Sequence, residues 1–133
     1  IVLPPMDPDE PGWLAFAIAC YLDEEWMEQP VHNEIGQAAA DLYEKSRAAG
    51  DDDLIAVLAK LSYGLKDIWR DAGFLESFEG PIDIANRAAE LLMLRLGKAV
   101  WSYGASNDEV QVKMMKKVKE YEEKRAALKG ATN

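Results

Sequence analysis

A proline at position 30 divides two stretches of helical periodicity, and that division constrains the fold more than any other feature of the chain. Before it, Trp13, Leu14, Ala17, Ile18, Tyr21 and Leu22 recur at the spacing of one broad helical face. Asp9, Glu10 and Pro11 supply a helix start, with carboxylates at the positive end of the helix dipole and proline in the first turn. The spacing predicts a helix from about Pro11 to Met27. Pro30 ends it, because the residue before a proline is pushed out of the helical region, and the same proline suits the first turn of a second helix. There Val31, Ile35, Ala38, Ala39, Leu42 and Tyr43 carry the apolar stripe to about Ala49. Two helices joined through one proline-broken corner must pack on each other.

The same punctuation continues downstream. Gly50 reads as a helix stop, and Asp51, Asp52 and Asp53 as the cap and acidic first turn of a third helix. In that helix Leu54, Ile55, Val57, Leu58, Leu61, Leu65, Ile68 and Trp69 offer the broadest apolar surface, which predicts a central, well-buried element. Residues 71 to 81 combine Gly73, Gly80 and Pro81 with Phe74, Leu75 and Phe78, a loop with a short helical turn whose aromatics are expected to plug the core from one end. A fourth helix starts near Pro81 and Asp83 and carries Ile84, Ala88, Leu91, Leu92 and Leu94, with Val100 and Trp101 as a possible continuation. Gly97 is a weak point costing about 1 kcal/mol relative to alanine, where this helix ends or bends. Ser102 to Asn107 reads as a linker. Asp108 to Leu128 is a charged helix with only a narrow stripe, Val110, Met114, Val118 and Tyr121, which suits either the domain surface or a partner. The expected fold is all-α: a compact bundle of four or five helices with a charged C-terminal helix. Residues 1 to 10 form a proline-rich, extended and mobile lead-in, 11 to 104 the helical domain, and 105 to 133 the charged helix and tail.

At 133 residues, one domain can bury enough surface to fold without a metal or disulfide. Its 49% hydrophobic and 29% charged residues place it among globular chains. Cys20, the only cysteine, lies in an apolar run and reads as a small buried hydrophobe in a reducing compartment. Charge is unevenly spread. Residues 1 to 44 hold ten acids and no Lys or Arg, whereas residues 45 to 133 hold fourteen acids and fifteen bases. An acidic front third repels phosphate backbones and anionic lipid, so nucleic acid and membrane are poor partners and a basic protein surface is a better one. Solubility alone is the plainer reason for the same acids. The longest apolar run, Trp13 to Leu22, is about half the roughly 20 residues that a membrane span requires. Position 1 is not Met, no signal or transit sequence is visible, and the chain reads as a trimmed form of something longer.

The chemistry to test lies at the corner, where Asp23, Glu24, Glu25, Glu28 and His32 are all metal-ligand types. Their spacing is wrong for a helical metal site, which sets Glu and His three apart, whereas Glu28 and His32 are four apart across Pro30 and no second histidine exists. Asp51 to Asp53 lacks the glycine and glutamate of a calcium loop, so capping is the expected role. Cys20 has no base nearby in sequence, and no glycine loop cradles phosphate. No enzyme activity and no cofactor are expected. Trp26 follows three acids at a helix end, where it either closes the core between the first two helices or presents a half-exposed ring to a partner.

The runs LDEEWMEQPVHNEIGQAAADLY (Leu22 to Tyr43), GDDDL (Gly50 to Leu54) and FLESFEGPIDIANRAAELLM (Phe74 to Met93) resemble a small helical family of cyanobacteria and chloroplasts. Its cyanobacterial members are carboxysome-assembly chaperones, the CcmS-like proteins. Leu22, Asp23, Glu24, Glu25, Trp26, Gln29, Val31, His32, Ile35, Gly36, Asp53, Leu54, Phe78, Ala85 and Asn86 carry the likeness, over about residues 15 to 95. The resemblance implies a non-enzymatic chaperone or adaptor that binds a protein, in the cyanobacterial case a shell protein. The proline-rich start and the tail after Trp101 depart from that pattern, and a trimmed start suits a plastid protein. Plants have no carboxysome, so a plastid member needs another partner, in carbon fixation, photosynthetic assembly or plastid gene expression. The expected location is the chloroplast stroma, with cyanobacterial cytoplasm as the alternative. The expected partner-binding residues are Asp23, Glu24, Glu25, Trp26, Glu28 and His32. Two other readings stand beside this one: a self-associating homo-oligomer, and a metal-binding enzyme using Glu24, Glu25 and His32.

Overall fold

In the computed structural model, which describes residues 1–97 and 108–131, the chain forms an all-α bundle. Its helices are α1 (Glu10–Glu25), α2 (Pro30–Ala48), α3 (Leu54–Ile68), α4 (Pro81–Arg95) and α5 (Asp108–Ala131). Pro11, Pro30 and Pro81 all sit in first turns, where a missing N–H costs nothing. Gly50 at φ +99° and Gly97 at φ +71° adopt the left-handed conformation that closes α2 and α4. Val100, Trp101 and the linker 102–107 lie outside the described residues, as do the side chains of Val110 and Met114.

The central helix is α1, not α3. Trp13, Leu14, Ala17, Ile18, Ala19, Cys20, Tyr21 and Leu22 are all buried, because α1 is apolar around most of its circumference and packs against α2, α4 and α5. In α3 only Leu54, Val57, Leu61 and Leu65 are buried, a single stripe against α2 and α4. Ile55 and Tyr63 point away and stay 55% and 72% exposed. An apolar count overstated the burial of α3, since only the side facing its neighbours goes into the core.

The lead-in is extended as expected, but it is fastened rather than mobile. Leu3 N–H donates to the Asp52 carbonyl at 2.6 Å, Leu54 N–H donates to the Ile1 carbonyl at 2.9 Å, and the Arg47 guanidinium donates to the Pro4 carbonyl. Leu3 itself is buried in the core cluster. These bonds satisfy backbone groups that no helix could use next to so many prolines. They also occupy the aspartate segment. Asp53 stands at the N-cap of α3 but makes no side-chain cap bond, while Asp51 accepts from the Ser46 hydroxyl at 2.7 Å and pairs with Lys60 at 2.5 Å. Lys60 and then Ser46 hold the Asp51 carboxyl below its ordinary range.

In the segment between α3 and α4 only Phe74 plugs the core, meeting Trp69 edge-on at 5.2 Å. Leu75 and Phe78 face outward, and for Phe78 this departs from the expectation that the loop's aromatics plug the core. The last helix lies on α1: Val118 is buried, and Tyr121 stacks on Phe16 with ring centres 4.3 Å apart. Among the described residues no helix is long and apolar enough to cross a membrane.

Candidate docking site at the α1–α2 corner

Asp23 closes the corner. Its Oδ1 accepts from Gln29 N–H at 3.3 Å and lies 2.6 Å from His32 Nδ1, so one carboxylate oxygen ties the end of α1 to the first turn of α2. His32 is 0% exposed and its Nε2 is buried with no hydrogen-bond partner. The sequence reading that counted His32 among partner-facing residues is therefore corrected: an i, i+3 neighbour of Ile35 on the core side of α2 cannot touch a partner. Its neighbour Asp23 is spent on the same bond.

Glu24 turns the other way and pairs with Lys117 of α5 at 2.5 Å. That bond pushes the Lys117 ammonium above its ordinary range. Burial pushes the Cys20 thiol up to about 11, leaving it protonated and unreactive near neutral pH. With Asp23 on His32 and Glu24 on Lys117, the corner's acids are divided among different neighbours, and no three His, Cys, Asp or Glu side chains among the described residues are placed to hold a metal ion.

Trp26 has partners that lie 52 and 53 residues ahead. Its indole N–H donates to Glu79 Oε2 at 2.9 Å, and its ring stacks on Phe78 at 5.0 Å with only 4° between planes. Both rings remain 46% exposed. Met27, Leu75 and Ile82, on the same two segments, are more exposed still. Glu25 Oε2 and Glu79 Oε1 are acceptors with no hydrogen-bond partner, and Glu28 is exposed. Desolvation raises the Glu79 carboxyl above its ordinary range, with Trp26 and Arg87 opposing and Asp83 and Glu25 adding to the rise. Beneath the patch, Arg87 lies over the Tyr21 ring at 3.7 Å and pairs with Glu90 at 2.7 Å.

The structure thus gathers Glu25, Trp26 and Glu28 of the predicted set at one surface, buries His32 and sends Glu24 to α5. It adds Leu75, Phe78 and Glu79, of which the sequence reading assigned Phe78 to a core plug and gave the other two no role. Two acids interleaved with three apolar residues between Gly73 and Gly80 were the available signal that part of this loop faces water.

Fold and surface together define a small helical module with an exposed aromatic, acid-rimmed corner. The chain belongs to the family described as a domain of unknown function, DUF8822, which matches residues 1–96. The match takes in the fastened lead-in and α1 to α4, and leaves α5 outside. No curated protein and no solved structure matches the chain.

Proposed function

We propose that this protein is a non-enzymatic binding module, a chaperone or adaptor, that docks a protein partner on the corner made by the end of α1 and the Phe74 to Gly80 loop. The observation that carries the reading is the Trp26–Phe78 stack: two aromatic rings held parallel by a hydrogen bond to Glu79, yet both half exposed. Covering the open half of each ring would remove on the order of 100 Å² from water and contribute about 2 kcal/mol apiece, the scale of an interface hot spot. The stack is also pre-ordered, so little side-chain freedom remains to be lost on binding.

The resemblance to the carboxysome-assembly chaperones supports a chloroplast stroma or cyanobacterial setting, and a partner in carbon fixation or photosynthetic assembly. Self-association through this patch is disfavoured by charge, because residues 21–30 and 74–83 carry seven acids and no base, and two copies would repel. The test is capture of a stoichiometric partner from stromal or cyanobacterial extract by tagged protein. Trp26→Ala combined with Phe78→Ala should abolish capture while leaving the melting curve cooperative; undiminished capture by that variant refutes the corner as the docking surface.

A further inference from the structure

Resting on that docking reading, we propose that the Trp26–Phe78 patch receives a cationic side chain, a lysine or arginine flanked by apolar residues on a partner polypeptide. The charge of the surface selects this occupant. Of its seven acids, Asp23 is taken by His32, Glu24 by Lys117, and Asp83 by the Gly80 N–H. Glu25, Glu28 and Glu76 take part in no ion pair among the described residues. Glu79 spends one oxygen on the Trp26 indole, and its other oxygen is buried without a hydrogen-bond partner. Glu25 Oε2 is a second such acceptor on the residue preceding Trp26. The exposed carboxylates of Glu28 and Glu76 and the aromatic faces attract ammonium or guanidinium groups, and the flanking Met27, Leu75 and Ile82 offer apolar contact to their alkyl stems and neighbours.

The molecule uses this chemistry internally. Arg87 lies over Tyr21 and pairs with Glu90, and Arg95 lies over Trp13 at 4.8 Å while pairing with Glu10 at 3.4 Å. Trp26 with Glu79 has the same ring and carboxylate, and among the described residues no cation lies over it. An anionic partner would meet uncompensated repulsion. A purely apolar one would leave the exposed carboxylates of Glu28 and Glu76 desolvated and unpaired.

The experiment titrates the full chain, ¹⁵N-labelled, with the capped pentapeptide Ala-Leu-Arg-Leu-Ala and with two counterparts in which citrulline or glutamate replaces the arginine. The readout is the Trp26 indole N–H resonance, assigned with Trp26→Phe. A saturable shift is expected with the arginine peptide, at least about tenfold tighter than with citrulline, weakening several-fold between about 20 and about 500 mM NaCl, and absent with glutamate. Glu28→Gln with Glu76→Gln should remove the preference for arginine over citrulline. Equal binding of arginine and citrulline peptides overturns the cationic occupant while leaving the docking reading intact, as does silence of the resonance with every peptide when Trp26→Ala with Phe78→Ala still abolishes partner capture. Silence together with undiminished capture by that double variant overturns both. An arginine preference that survives the double glutamine substitution also overturns the assignment.

Discussion

Gly36→Ala tests how α1 and α2 are held together. A Cβ built at Gly36 would stand 2.3 Å from the Ala15 carbonyl oxygen and 3.2 Å from its carbonyl carbon. Ordinary carbon–oxygen contact is about 3.3 Å, so the two helices would have to separate by roughly 1 Å. Backbone cannot rotate aside as a side chain can, and a gap of that size forfeits about a quarter to a half of each dispersion contact across the interface. Overpacking of this kind costs about 1–3 kcal/mol, and a 2.3 Å approach to backbone belongs at the upper end; the helix propensity of alanine returns about 1, so net destabilisation near 2 kcal/mol, or roughly 7 °C in Tm, is expected. Gly64→Ala is the control. Its Cβ would meet only the Leu42 methyls, at 2.7 and 2.9 Å, and those can swing away, so the same substitution should be neutral or stabilising. Urea denaturation measures both, with a shift in midpoint at constant slope as the criterion. Because His32 lies one turn before Gly36 on α2, Gly36→Ala should also loosen the 2.6 Å Asp23–His32 contact, visible as changed His32 ring chemical shifts by NMR. A Gly36→Ala protein as stable as Gly64→Ala would refute the close-approach argument.

Three further outcomes can be checked. His32→Ala removes a fully buried ring and leaves Asp23 only its Gln29 N–H donor, and should lower unfolding free energy by about 2–4 kcal/mol in urea melts. For Glu79, the folded pKa is raised, so its contribution to stability is greatest at low pH and is lost as pH rises through the folded value. Glu79→Gln keeps an acceptor for the Trp26 indole, so it should be at least as stable as the parent at pH 7, and the gap should shrink toward pH 4.5; a gap that widens on acidification would contradict the burial argument. Tyr121→Ala removes the stack on Phe16, worth about 0.5–1.5 kcal/mol beyond area burial, and hydrogen exchange should quicken in α5 while α2 and α3 stay protected.

Local chemistry made the helix limits legible. Proline at 11, 30 and 81 and glycine at 50 and 97 act through their own dihedrals, within a residue or two, and the structure places a helix boundary near each. Periodicity likewise placed Leu14, Ile18, Ile35 and Tyr43 in the core before any tertiary contact was known. What a neighbour decides was not legible. Whether α1 or α3 is central depends on how many helices surround each, and the order of apolar residues does not contain that.

The corner shows the same division most clearly. Sequence alone determined that a proline-broken turn would carry concentrated negative charge and one tryptophan, because those are facts of residue type and local spacing. Only the tertiary structure decided that His32 faces inward onto Asp23, that Glu24 belongs to α5, and that Trp26 finds its ring partner and its acceptor at Phe78 and Glu79. Those choices are made by segments far apart in the chain, brought together by burial of α1, and no local pattern encodes which of two faces of a helix end will meet them.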